Sequence, residues 1–173
     1  GGQDELIFDG SSFSLNHDGK KFSSLEEFKE DISIINFKKD NGIWIGYGNI
    51  KENSSQSERL YKALVLGLRD YVKNNKFSGV VLGLSGGIDS ALVAALATDA
   101  FGSKFVQAVM LESPYTGEES LKDARDVADL LNIKYSNLKI SDAMKIVDEI
   151  LGDFKGPNFT AGITEENIQS RLR

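Results

Sequence analysis

Cysteine is absent from the 173 residues, which removes disulfides, thiolate metal sites and Cys nucleophiles together. Histidine occurs once, as His17, so a His-rich metal site is excluded and a His-dependent triad has one residue to build on. No apolar run approaches the roughly 20 residues that a membrane-spanning helix needs. Positive charge is in deficit: 20 Lys and Arg against 26 Asp and Glu leave a formal net charge of −6. Phosphate-tracking surfaces are normally basic, so nucleic acid is not an expected partner, and neither is a membrane. A small phosphate ligand held by backbone amides is compatible with that balance. What is present is the composition of a globular chain, 40% hydrophobic and 27% charged. The lack of cysteine and of a signal sequence fits a cytoplasmic protein.

Both ends read as cut. The chain opens Gly1-Gly2-Gln3-Asp4-Glu5-Leu6-Ile7-Phe8, without an initiator Met and already resembling the approach to a strand. It closes on Thr164-Glu165-Glu166-Asn167-Ile168-Gln169-Ser170-Arg171-Leu172-Arg173. Thr164 is a good N-cap, the two glutamates suit the positive end of a helix dipole, and Ile168 and Leu172 share a face. A helix of about two turns is marginal alone. The expectation is therefore part of a longer polypeptide, with an ordinary frayed terminus as the bland alternative.

Three stretches follow one another. Residues 1–50 are mixed: Leu6 to Phe8, Phe13 to Leu15 and Ile43 to Tyr47 read as short strands between tight turns, and Leu25, Phe28, Ile32 and Ile35 have a loosely helical spacing. Residues 51–56, Lys-Glu-Asn-Ser-Ser-Gln, read as a linker. From residue 57 to 173 helices and strands alternate. Ser57 can cap a helix with Leu60, Leu64, Leu68, Tyr71 and Val72 on its apolar face. Val80 to Leu84 reads as a buried parallel strand. Ser90 to Ala100 is an alanine-rich helix with Leu92 and Leu96 on one side, and Phe105 to Leu111 a second buried strand. Glu118 to Leu131 is an amphipathic helix facing inward through Leu121, Ala124, Val127, Ala128 and Leu131. Lys134 to Ile140 is a more polar strand nearer an edge, and Asp142 caps a further helix. This order predicts an α/β fold, a parallel Rossmann-like sheet flanked by helices with right-handed crossovers.

The chemistry concentrates in Gly83-Leu84-Ser85-Gly86-Gly87-Ile88-Asp89-Ser90, where the first buried strand turns into a helix. Ligands of open parallel sheets bind outside the carboxyl ends of the strands. Adjacent glycines let the backbone approach a ligand closely, and the loop amides converge with the unsatisfied N–H groups of the helix to make an anion site. Ser85 and Ser90 can add hydroxyl donors. Asp89 would repel a phosphate unless a shared divalent cation lay between them, which makes it the candidate Mg²⁺ ligand. The bland reading is a first-turn acid favouring the helix dipole. The loop lacks the Lys of a Walker A motif, and its glycines have the wrong spacing for a dinucleotide fingerprint. Residues 83–87 do satisfy G-x-S-x-G, the nucleophile elbow of α/β-hydrolases, but no His follows Ser85. A serine hydrolase using Ser85 therefore stays as an alternative that requires a His from elsewhere.

The string Ser-Gly-Gly-Ile-Asp-Ser resembles the pyrophosphate-binding loop of the PP-loop ATP pyrophosphatases, whose fold is adenine nucleotide alpha hydrolase-like. Val109-Met110-Leu111-Glu112-Ser113-Pro114-Tyr115-Thr116, with Glu118 to Ala124, resembles the second strand and helix of the NAD synthetases in that family. Residues 164–173 are similar to the family's T-E-E-N-I-Q-A-R-x-R segment, with Ser170 in the Ala position. Tyr61 to Tyr71 looks like the helix that opens the synthetase domain, and residues 1–12 resemble the end of the nitrilase-type glutaminase domain of the two-domain, glutamine-dependent form. The resemblance thus implies a glutaminase tail over 1–50, a linker over 51–56 and the first half of an ATP-binding synthetase domain over 57–173.

By that resemblance ATP lies on residues 83–90 together with Leu111 and Ser113, Mg²⁺ on Asp89, and deamido-NAD on Asn167 and Arg171. Amidation of deamido-NAD to NAD would pass through an adenylate, releasing AMP and pyrophosphate, with ammonia derived from glutamine. No covalent catalytic residue is implied. The glutaminase's Glu, Lys and Cys would lie upstream, and the family's later Thr-Gly-Asn-Lys-Ser-Glu segment is absent, so residues 1–173 alone are expected to be inactive. Apolar helices left exposed imply burial against further chain or another subunit, and a homo-oligomer is expected. Two further alternatives stay open: another PP-loop amidotransferase, and a fragment that binds nucleotide without turnover. His17, in Asn16-His17-Asp18-Gly19, reads as a solvated hairpin turn. Trp44 between Ile43 and Ile45 reads as core, Lys20-Lys21 and Lys38-Lys39 as surface pairs, and Arg171 and Arg173 without the resemblance as last-turn cations.

Overall fold

The computed structural model describes residues 6–152 and 163–172, with the side chains of residues 152 and 163–165 not described. The chain divides into two compact units, residues 1–76 and 77–173.

Unit 1 contains two antiparallel hairpins and a long helix. Strands β1 (Phe13–Leu15) and β2 (Lys21–Ser24) pair around the turn that holds His17, which is exposed there as its sequence context predicts. Strands β3 (Asn36–Asp40) and β4 (Ile43–Tyr47) pair in register around Asn41 and Gly42, both at positive φ (46° and 87°), the conformation of a type I′ hairpin turn. β2 and β3 are not evident in the sequence, because both are too polar to show an apolar alternation. Three expectations fail here. Leu6 to Phe8 is not a strand. The helical spacing of Leu25, Phe28, Ile32 and Ile35 yields no helix, since Phe28 has φ +58° and Ile32 is 93% exposed. Trp44 is not core: it is 60% exposed, with the Lys39 ammonium 5.9 Å from its ring centroid across the β3–β4 pair.

Helix α1 (Gln56–Asn74) is capped by Ser55 rather than Ser57, because the Glu58 amide, three residues on, donates to Ser55 Oγ. Val72 is buried, but Leu60, Leu64 and Tyr71 of the expected inner face are exposed. The side of α1 that carries Gly67 lies instead against the Ile7 side chain, where the missing Cβ makes room. Residues 51–56 are tied down. Lys51 N–H donates to Ser24 Oγ (2.9 Å), Ser24 Oγ donates to the Lys51 carbonyl (3.1 Å), and Ser54 N–H donates to Glu27 Oε2 (3.0 Å). The nearly buried Glu27 carboxylate also meets Arg59 Nε at 2.9 Å, a charge contact without an aligned hydrogen bond. The same guanidinium donates to Asp9 Oδ2 at 2.8 Å.

Unit 2 is a parallel sheet in the order β5-β6-β7. Its elements run β5 (Val80–Gly83), α2 (Ile88–Phe101), β6 (Val106–Glu112), α3 (Glu118–Leu130), β7 (Lys134–Lys139), α4 (Ser141–Gly152) and α5 (Ile163–Leu172). The alternation read from the sequence is thus an α/β sheet with helical crossovers. Val106, Ala108 and Met110 of the central strand are buried, and paired Val80 and Leu82 continue that face. Ala94 and Ala97 of α2 and Ala124 and Ala128 of α3 are 0–2% exposed, so these small side chains bring both helices close to the sheet. Each fully buried Val or Leu is worth about 1.5–3 kcal/mol.

Departures from expectation have local causes. Val81 is 71% exposed, on the face of β5 opposite to half-buried Val80 and Leu82, so among the described residues this strand is covered on one face only. In α2 the alanines, not Leu92, form the buried side; Leu92 is 49% exposed. Asp142 lies inside the first turn of α4, whose first helical bond runs from Met144 N–H to the Ile140 carbonyl (2.9 Å). Likewise α5 begins at Ile163, so Thr164 is a first-turn residue and not the cap. Ile168 joins Ile140 and Met144 in a buried cluster with Leu111, Val147, Leu151 and Leu172 against it, which supplies the packing a two-turn helix lacks alone.

Candidate nucleotide-binding site

The β5–α2 loop begins where Leu84 N–H donates to the Val109 carbonyl (2.9 Å), extending the parallel pairing one residue beyond β5. Leu84 is 1% exposed and anchors the loop in the core. Beyond it the chain turns at Gly86, φ +84°, and a Cβ there would meet the Ser120 carbonyl oxygen and lie 2.9 Å from Ser120 Cα. Gly86 therefore satisfies two demands, a left-handed backbone and contact with the first turn of α3.

Two serines then close the loop on itself. Ser90 Oγ donates to the Gly87 carbonyl (2.9 Å) and accepts from Ser85 N–H (3.2 Å). With that proton committed, Ser85 Oγ is the donor in its 3.1 Å contact with Ser90 Oγ, and it accepts from Gly87 N–H (3.3 Å). Both hydroxyl protons are spent inside the loop. A nucleophilic Ser85 would need a base at Oγ, and the groups bonded there are a hydroxyl and an amide.

Gly87 is the N-cap of α2 and offers no side-chain cap. The amides of Ile88, Asp89 and Ser90 precede the first intrahelical bond, Ala91 N–H to Gly87 O (3.1 Å), and stand at the positive end of the helix dipole. Asp89 is an exposed first-turn acid beside these amides. Among the described residues no group of three or more His, Asp or Glu side chains could hold a metal unaided. A cation held here by Asp89 would thus be one shared with the oxygens of a bound phosphate, which fits a lone carboxylate next to anion-binding amides.

A cavity of about 400 Å³ opens beside the loop, lined by Gly83, Leu84 and Ser85, by Leu111 at the end of β6, and by the turn into α3. Of the residues expected to hold ATP, Gly83, Leu84, Ser85 and Leu111 line this cavity, whereas Gly86, Gly87, Ile88, Asp89 and Ser90 form the adjoining turn and helix start. Ser113 does not line it. It is 5% exposed and organises the following turn: its N–H donates to Thr116 Oγ1 (2.9 Å), its Oγ accepts from Tyr115 N–H (3.2 Å), and the two hydroxyls are 3.2 Å apart. Asn167 and Arg171 lie apart from this cavity, on a separate groove of about 240 Å³ between α4 and α5, with Val147, Leu151, Ile168 and Leu172. Tyr115, Thr116, Gly117, Ser120 and Gln169 line the larger cavity without having been singled out by the sequence. Ser113-Pro114-Tyr115-Thr116 carries the turn chemistry that could have indicated the first two, and the resemblance over residues 164–173 includes Gln169 without attaching a role to it.

A model of the NAD synthase family matches residues 60–173. The chain belongs to the NAD synthase family. It is 43% identical, over its whole length, to the glutamine-dependent NAD(+) synthetase of Rhodobacter capsulatus, of which it covers 31%. The structure of glutamine-dependent NAD+ synthetase from Acinetobacter baumannii in complex with adenosine diphosphate superposes on all of this chain with a TM-score of 0.90 and 40% identity, 32% of that chain being covered. NMN synthetase from Francisella tularensis superposes on 70% of this chain, with a TM-score of 0.60 and 32% identity, and 48% of it is covered. The chain thus spans about a third of the length of the glutamine-dependent relatives it matches. Within it the family match begins at Leu60, inside α1, whereas the compact units divide after Lys76. No described helix is long and apolar enough to cross a membrane.

Proposed function

We propose that the polypeptide containing this chain is a ligase, a glutamine-dependent NAD synthetase, in which residues 57–173 supply the ATP-binding half of the synthetase domain and residues 1–50 the end of a glutaminase domain. The observation that carries this reading is the β5–α2 loop: unsatisfied helix amides and a lone Asp89 beside a cavity large enough for a nucleotide. The adenosine diphosphate bound by the Acinetobacter baumannii relative supports an adenine nucleotide there.

In this reading the amides of Gly86, Ile88, Asp89 and Ser90 cradle the pyrophosphate of ATP, while Gly83, Leu84, Ser85 and Leu111 line the nucleoside side. Asp89 would hold Mg²⁺, whose contribution is to offset phosphate charge. Ser113 acts through the turn it organises. Asn167 and Arg171 bind deamido-NAD away from its reacting end, Arg171 near its phosphates, and the nicotinate carboxylate extends to the ATP cavity, where it attacks the α-phosphorus as the bond to pyrophosphate breaks. Ammonia released from glutamine then attacks the acyl adenylate, AMP leaves, and the amide is NAD. Preorganised dipoles and alignment of the two substrates supply the rate; no side chain forms a bond to substrate. The enzyme works in the cytoplasm as a homo-oligomer, and residues 1–173 alone do not turn over.

The test is product analysis with the complete polypeptide, Mg·ATP, deamido-NAD and glutamine. AMP forming in step with NAD, and only when deamido-NAD is present, is the expected result. ADP as the nucleotide product overturns the proposal.

A further inference from the structure

Helix α5 stands between the two cavities. Asn167 and Arg171, one turn apart, line the 240 Å³ groove, while Gln169 lines the 400 Å³ cavity. Positions two apart on a helix lie about 200° from each other, so opposite sides of one short helix serve two different walls. Gln169 does more than occupy its wall. Its Nε2 donates to Ser113 Oγ at 2.7 Å, across 56 residues of sequence. Ser113 Oγ is the acceptor that fixes Tyr115 N–H and the neighbour of Thr116 Oγ1, and Tyr115 and Thr116 are themselves cavity residues. Moving α5 therefore moves an amide bonded to the centre of the nucleotide-side turn.

We infer that Gln169 is a positioning residue that couples the two substrate sites: by holding Ser113 it makes the shape of the 113–116 turn depend on the seating of α5. The inference rests on the assignment of ATP to the larger cavity and deamido-NAD to the groove. A ligand that fixes Asn167 and Arg171 fixes α5, and with it Gln169 and the turn. The ordering cost is then met once rather than twice, so each ligand tightens the other. Linkage makes the effect reciprocal, and couplings of this kind run from about 5-fold to 150-fold.

The test is equilibrium binding of α,β-methylene-ATP with Mg²⁺ to the complete polypeptide, with and without saturating deamido-NAD. Wild type is expected to bind the analogue about 10-fold more tightly when deamido-NAD is present. Gln169→Leu should bring that ratio close to one, and Ser113→Ala should do the same by removing the other partner. The double variant should lose no more than either single one. A side chain with only a packing role would weaken both binding reactions and leave their ratio in place. If Gln169→Leu does not fold, Ser113→Ala alone decides. A wild-type enzyme that binds both ligands without coupling, or variants that keep the ratio, overturn the inference while leaving the synthetase assignment standing. A wild-type polypeptide that makes no NAD and binds neither ligand defeats the assignment instead.

Discussion

In residues 77–172 the order comes from backbone pairing along a parallel sheet and from alanines that let two helices approach it; Ala94, Ala108, Ala124 and Ala128 are each completely buried. In residues 6–76 buried apolar positions are few, Phe22 and Val72, and they share the interior with Ser23, Ser24 and Glu27. That unit is closed by side chains reaching far along the chain. Asn16 Oδ1 accepts from Gly46 N–H at 2.7 Å, Ser24 holds Lys51, and Glu27 and Asp9 meet Arg59. Bonds inside the candidate phosphate loop span no more than five residues, whereas these span 27 to 50. A local string of residues can therefore specify the loop, while the first unit has to be complete before its polar contacts exist.

The contrast can be pressed by substitution in the complete polypeptide. The largest effect is expected at Asp89→Asn, which removes charge from the site and little packing. NAD formation should fall roughly 100-fold or more, the scale of losing one preorganised electrostatic contact, with the melting temperature unchanged. Activity within a few-fold of wild type would detach Asp89 from the chemistry. Gly86→Ala should cost both properties, since a left-handed alanine and a backbone collision at Ser120 together cost about 3 kcal/mol by chemical denaturation. A stable, active Gly86→Ala enzyme would mean that the loop does not sit on α3.

Smaller effects belong to the first unit. Glu27→Ala should lower stability by about 1–2 kcal/mol, below the cost of breaking a fully buried pair because Arg59 is 44% exposed and keeps Asp9. Ammonia-driven NAD synthesis should stay unchanged in that variant, so loss of catalysis without loss of stability would contradict the division drawn here. Lys39→Ala should change stability by no more than ~0.5 kcal/mol, as expected for an exposed cation–π contact, and a melting curve coincident with wild type is the result to look for.

How much of the molecule was legible in the sequence follows the same contrast. The strand–helix alternation after residue 77 announced itself because each buried strand is apolar and each crossover helix is long enough to show its period. The loop at 83–90 was legible from residue types alone, since adjacent glycines, serines and an acid at a strand–helix junction have few other uses. In the first unit the local pattern misled. Trp44 looks like core but lies toward the hairpin turn, beyond the point where Phe37 and Gly46 on the same face of the ribbon meet Phe22, and the helical spacing of residues 25–35 is broken by the positive φ of Phe28. Ser55 and Ser57 are equally plausible caps by type, and only the geometry at Glu58 N–H separates them. Gln169 matches the family-like segment at 164–173, but its role was hidden for a different reason: it depends on Ser113, and no spacing rule relates positions 56 residues apart.

In the proposed function the amides of Gly86, Ile88, Asp89 and Ser90 hold the pyrophosphate of ATP, with Asp89 toward its cation. The most direct measurement is a crystal structure of the complete polypeptide with Mg²⁺ and α,β-methylene-ATP. The expected result is β- and γ-phosphate oxygens within hydrogen-bond distance of those amides and the Asp89 carboxylate on the Mg²⁺ ion. Phosphates bound elsewhere, with the loop amides facing water, would contradict it.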